Sequence, residues 1–81
     1  MVLYNPLQLA SQLKLIRNKN NLTQAQLANK IGIKQATLSN FETNPDTTQL
    51  KTFFKIIQAL ELQLDIQERK VSQGMSNEED W

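Results

Sequence analysis

The 81-residue sequence predicts an all-α domain of four helices with one short C-terminal β-strand. Three observations carry that expectation. Leu27, Ala28 and Ile31, then Leu38 and Phe41, recur at helical spacing on either side of Gly32. Leu50, Phe53, Phe54, Ile57 and Leu60, with Ile56 at the margin, draw a wide apolar stripe for a further helix. Over residues 62–67 the pattern changes to strict alternation, apolar at Leu62, Leu64 and Ile66, which is the period of a strand.

Each element has its own local signals. Residues 1–5 form an arm, and Asn5 caps a first helix that Pro6 opens, because proline's missing N–H is an orphan donor there anyway. Leu9, Leu13 and Ile16 are its inward positions, and it ends near residues 19–21. Leu22 bridges to the second helix. Thr23 is placed to cap that helix, and Gln26 three residues on completes a capping box. Gly32 ends it, since glycine takes the left-handed backbone without a Cβ penalty. Ile33 plugs the core, and the third helix spans about residues 34–43. Asn44-Pro45-Asp46 is a turn, because proline disfavours a helical residue before it. Thr47 or Thr48 then caps the fourth helix.

Two short helices joined by a tight glycine turn make a helix-turn-helix, and the second helix keeps a polar outer side. Its exposed candidates are Lys34, Gln35, Ala36, Thr37, Ser39 and Asn40. Gln35 can pair bidentately with adenine in a DNA major groove, and Lys34 can donate to guanine O6 or N7. Ala36 and the Thr37 methyl suit a thymine methyl, while Ser39 and Asn40 can reach bases or phosphates, or simply solvate the helix. Gln24 opens the preceding helix where a backbone phosphate would pass. Arg17 and Lys30 are weaker phosphate candidates, and Arg17 has a structural alternative in pairing with Glu42.

At these residues the chain resembles the lambda-repressor-like helix-turn-helix family. The shared pattern is Thr23-Gln24, Leu27-Ala28, Gly32 and the polar segment 34–40, and the resemblance extends over about residues 7–60. It implies the four-helix DNA-binding fold of that family and a phosphate role for Gln24. The segment IGIKQATLSNFE, the following NPDTTQLKTFFKIIQALEL, the single alternating strand and the terminal Trp81 together look more closely like the HipB-type antitoxins. That resemblance implies a transcriptional repressor that autoregulates its operon and neutralises a HipA-like serine/threonine kinase toxin. The competing reading is a homodimeric repressor of the same fold with no toxin partner.

Composition narrows the classes. A single domain of this size builds a core that is marginal alone, and dimerisation is a common remedy. Cysteine and histidine are both absent, which removes disulfides, thiol chemistry and the usual general base. Only Gly32 and Gly74 exist, so there is no phosphate-cradling glycine loop, and Glu78, Glu79 and Asp80 read as solvated charge rather than a metal site. No enzyme, cofactor or membrane span is expected, and the chain reads as cytoplasmic and nucleoid-associated.

The net charge of +1 hides a split. Residues 1–60 carry seven bases against two acids, and residues 61–81 carry two bases against six acids. A +5 part followed by a −4 part suits phosphate binding by the first. The expected organisation is therefore a DNA-binding domain over residues 1–60, a dimerisation strand over 61–69 and a disordered acidic tail over 70–81. A lone strand cannot satisfy its own ladder, so Leu62, Leu64 and Ile66 are expected to pair with the same strand of a two-fold related copy. Trp81 buries nothing locally and is either inert or an anchor for the protein partner.

Overall fold

The computed structural model describes residues 2–69, and these form four α-helices packed about one core. They are α1 (Pro6–Lys19), α2 (Gln24–Ile31), α3 (Gln35–Thr43) and α4 (Leu50–Ala59), with a 3-10 turn at Pro45–Thr47. Local chemistry sets the boundaries. Asn5 Oδ1 accepts from the Gln8 backbone N–H at 2.9 Å, so α1 is capped where Pro6 begins it. At α2 the capping box closes in both directions, Gln26 N–H to Thr23 Oγ1 at 3.0 Å and Thr23 N–H to Gln26 Oε1 at 2.9 Å. Gly32 ends α2 at φ 76°, ψ 31°, and that left-handed turn swings the chain directly into α3.

The core is Ala10 and Leu13 of α1, Leu27 and Ala28 of α2, Leu38 and Phe41 of α3, and Phe53, Ile56 and Ile57 of α4, with Leu60 behind them. Leu9, Ile16, Leu22, Ile31, Ile33 and Leu62 pack against it from the rim. Helix α4 is phased differently from the expectation. Ile56, expected at the margin, is 1% exposed, whereas Leu50, expected on the buried stripe, is 69% exposed. The positions 53, 56, 57 and 60 share one face, and that face wins because it meets α2 squarely. Leu50 and the half-open Phe54 are left outside.

One cap also differs, that of α4. Helix α3 begins at Gln35, with Lys34 as an N-cap that makes no side-chain bond. Helix α4 is preceded by Gln49, not by Thr47 or Thr48. The 3-10 turn consumes those threonines: Thr47 lies inside it and the Thr48 N–H donates to Pro45 O at 3.0 Å. After α4 the chain turns at Glu61, and residues 62–69 hold no regular secondary structure. No strand is present among the described residues, because an extended segment forms a ladder only against a partner and those residues offer none. The Arg69 guanidinium lies 5.5 Å from the centre of the Tyr4 ring, bringing this segment against the N-terminal arm.

Candidate nucleic-acid interface

Helix α3 shows two unlike faces. Leu38, Phe41 and Glu42 are buried, while Gln35, Ala36, Thr37 and Asn40 are exposed and Ser39 is half-buried. Lys34 is exposed at the N-cap. Gln35, Ala36, Ser39 and Asn40 stand at i, i+1, i+4 and i+5, so the outer face of the helix is one strip, polar except at Ala36. The apolar half holds the strip rigidly above the core.

Beneath the strip lies a buried ion pair. Arg17 of α1 reaches Glu42 of α3 with Nε to Oε2 at 2.7 Å and Nη2 to Oε1 at 3.1 Å. Both side chains are over nine-tenths buried. Arg17 Nη1 also donates to Leu22 O at 2.6 Å, which ties down the α1–α2 connection. These contacts settle the role of Arg17 as structural: its guanidinium is spent on the joint between α1, the connection and α3. Lys30 is similarly engaged, with Nζ donating to Ala59 O at 3.2 Å near the C-terminal end of α4.

The pair extends to the surface through amides. Gln24 Nε2 donates to Glu42 Oε1 at 2.9 Å, and Gln35 Nε2 approaches Gln24 Oε1 at 3.4 Å. The first residue of α2 and the first residue of α3 are thus linked side chain to side chain. Asn18, Asn21, Thr23, Gln24 and Gln35 line one open hollow at this junction. Asn18 and Asn21 escaped the sequence reading. Asn21 has φ 60°, a conformation asparagine tolerates better than most residues, and its place between two helices was the available signal. Asn40 is tied to the 3-10 turn, Nδ2 to Thr47 Oγ1 at 3.3 Å, which steadies the far end of the strip.

The candidate dimerisation residues lie elsewhere. Leu62 is half-buried against the core, Leu64 is 49% exposed and Ile66 is 88% exposed. Leu64 overhangs an apolar groove walled by Leu3, Leu9, Phe41, Leu50 and Phe53. Trp81 and the acidic tail lie outside the described residues. No helix among those residues is long and apolar enough to cross a membrane.

Residues 13–67 match the helix-turn-helix family. Antitoxin HipB of Escherichia coli strain K12 is 54% identical over 77 residues, spanning 95% of this chain and 88% of that protein. Antitoxin HipB of Escherichia coli O6:H1 (strain CFT073) is 59% identical over 68 residues, 84% of this chain and 72% of that one. Among solved structures, a chain of a HipA-HipB-O2-O3 complex superposes with a TM-score of 0.83 at 57% identity, covering 86% of this chain and 99% of that one. A chain of a HipB-O4 20mer complex gives a TM-score of 0.82 at 57% identity, with the same coverage.

Proposed function

Because this chain belongs to the HipB antitoxin branch of the helix-turn-helix family, we propose that α3 is its recognition helix and reads operator DNA as part of a homodimer. The chain is a DNA-binding antitoxin and repressor with a HipA-type partner, not an enzyme. It acts in the cytoplasm, represses its own operon and neutralises a serine/threonine kinase toxin.

The observation that carries the reading is the single, largely polar strip on α3, joined through Gln35 and Gln24 to the opening of α2. Gln24 anchors a backbone phosphate at the α2 N-terminus, where free N–H groups favour an anion. That anchor sets α3 in the major groove, where Lys34 and Gln35 meet purine edges and Ala36 and Thr37 meet thymine methyls. Ser39 and Asn40 face the groove wall. Replacing Gln35 with Ala is expected to cost about 1–3 kcal/mol of operator binding and relax one base position per half-site. Fluorescence anisotropy across single-base operator variants checks this, and an unchanged preference would remove α3 from the recognition role.

Dimerisation proceeds through residues 61–69, with Leu62, Leu64 and Ile66 pairing antiparallel to the same segment of a second copy. The groove beside Leu64 supplies the apolar surface that this pairing extends. Two-fold symmetry then spaces the half-sites at about one helical turn of DNA, roughly 34 Å, or a multiple of it. In the acidic segment 70–81, Trp81 serves as an aromatic anchor for the toxin. Truncation after Arg69 is expected to leave melting temperature and operator affinity unchanged while weakening toxin binding by at most a few kcal/mol. Calorimetric titration of both chains against toxin checks it, and equal affinities would make Trp81 a bystander.

A further inference from the structure

We propose that Glu61 is a specificity-determining residue that sets the half-site spacing an operator must have, by acting as a one-residue elbow between the DNA-reading domain and its dimerisation segment. The inference rests on the reading of residues 61–69 as that segment and deepens it.

The joint is short. Leu60 ends α4 inside the core at 5% exposure, and Leu62 packs against the same core while already belonging to the pairing segment. Glu61 alone lies between them, exposed and at φ 59°. Two backbone bonds close around it, Glu61 N–H to Gln58 O and Leu62 N–H to Ile57 O, both at 3.0 Å. They are the bonds of a Schellman ending, and Leu62 joins the apolar cluster that holds Ile57. The same pair ends α2, where Gly32 N–H reaches Asn29 O at 3.3 Å and Ile33 N–H reaches Ala28 O at 3.0 Å.

At the end of α2 a glycine makes the left-handed turn; at the end of α4 a glutamate does. The left-handed region open to a residue with a Cβ is small, whereas glycine ranges widely around it. Glutamate therefore costs the fold some stability and makes a narrower elbow. Lys30 adds a tie from α2, its Nζ donating to Ala59 O at 3.2 Å one turn before the bend. Beyond the bend, Leu64 overhangs the groove of its own domain and Arg69 lies 5.5 Å from the Tyr4 ring. The direction in which the segment leaves α4 is thus fixed.

The consequence is geometric. In a dimer paired through this segment, the torsions of one residue place each α3 relative to the two-fold axis. Changing the operator spacer by one base pair moves a half-site by about 3.4 Å and turns it by roughly 35° around the duplex. A slack linker of several residues absorbs such a shift, and a one-residue elbow does not. The second half-site is then out of reach, and the gain from gripping both sites at once is lost.

The test uses full-length protein and a pool of random-sequence duplexes, selected by binding and sequenced for the spacing between paired half-sites. The parent is expected to enrich one spacing. Adding or removing one base pair in the spacer is expected to weaken anisotropy titrations about 100-fold or more. Two variants loosen the joint while leaving Leu62, Leu64 and Ile66 unchanged. Glu61→Gly keeps the chain length, and a Gly-Ser insertion between residues 61 and 62 keeps the alternation of the segment in phase. Sedimentation first establishes that each is dimeric. Glu61→Gly is expected to reduce the penalty for a shifted spacer to about tenfold or less, and the insertion to enrich several spacings. If the insertion yields monomers, Glu61→Gly alone decides. A parent that enriches several spacings overturns the proposal, and so does a dimeric Glu61→Gly that keeps the full penalty. Dimers that persist in Leu64→Lys overturn the dimerisation reading itself, so the two failures are distinct.

Discussion

Replacing Arg17 with Met is expected to destabilise the domain by about 3–5 kcal/mol, the usual cost of stranding one member of a buried ion pair. Glu42 would keep only the Gln24 amide, inside a site from which water is nearly excluded. The loss is large because a domain this small has a total stability of roughly 5–15 kcal/mol. It corresponds to a fall in melting temperature of more than about 10 °C. Thermal denaturation followed by circular dichroism reads it directly. Replacing both partners, Arg17→Met with Glu42→Leu, is expected to restore most of the loss, because no uncompensated charge is then buried. A single variant that melts within a few degrees of the parent would mean that the joint between α1 and α3 is held by the apolar core alone.

Leu64→Lys is expected to turn dimers into monomers in sedimentation at micromolar concentration. Leu64 overhangs the apolar groove at half exposure, and a second copy would cover what remains. An ammonium there would have to be desolvated without a partner. A monomer grips one half-site where a dimer grips two, so affinity for a palindromic operator is expected to fall roughly 100-fold or more. Dimers that persist with Lys at this position would place the interface on another surface.

Local signals were legible wherever the chemistry was local. Asn5, the Thr23–Gln26 box and Gly32 each act within one turn of the chain, and all three take the expected roles. Leu27, Ala28, Leu38 and Phe41 are buried as their spacing implied. Helix α4 was ambiguous in phase because apolar residues occupy more than half its circumference; only packing against α2 decides between Leu50 and Ile56. The threonine caps were misplaced because Pro45 nucleates a 3-10 turn whose reach the sequence does not mark. In the site, the exposure of the α3 strip followed from the inward positions of Leu38 and Phe41. The chain of contacts from Glu42 through Gln24 to Gln35 was out of reach, since its members lie 18 and 11 residues apart and meet only after α2 and α3 pack. Pairing across residues 62–67 depends on a second molecule, and no arrangement within one chain displays it.

The contact between Tyr4 and Arg69 has a consequence for the order in which this domain assembles. It closes a loop of about 65 residues, whereas the helices inside that loop form from neighbours three and four positions away. The entropy of closure rises only with the logarithm of loop length, yet for a loop this long it still exceeds the roughly 0.5–1 kcal/mol of an exposed cation–π contact. The two ends therefore cannot nucleate the fold by meeting. They meet because the helical core has already brought them together, and they part first when it loosens. Residues 64–69 ride on the core through Leu62, the last side chain packed against it, so in a chain without a second copy this segment opens and closes at equilibrium far more often than the helices melt. Hydrogen exchange of the Leu64→Lys monomer would show this as two timescales in one small molecule, fast along the segment and slow across α1 to α4.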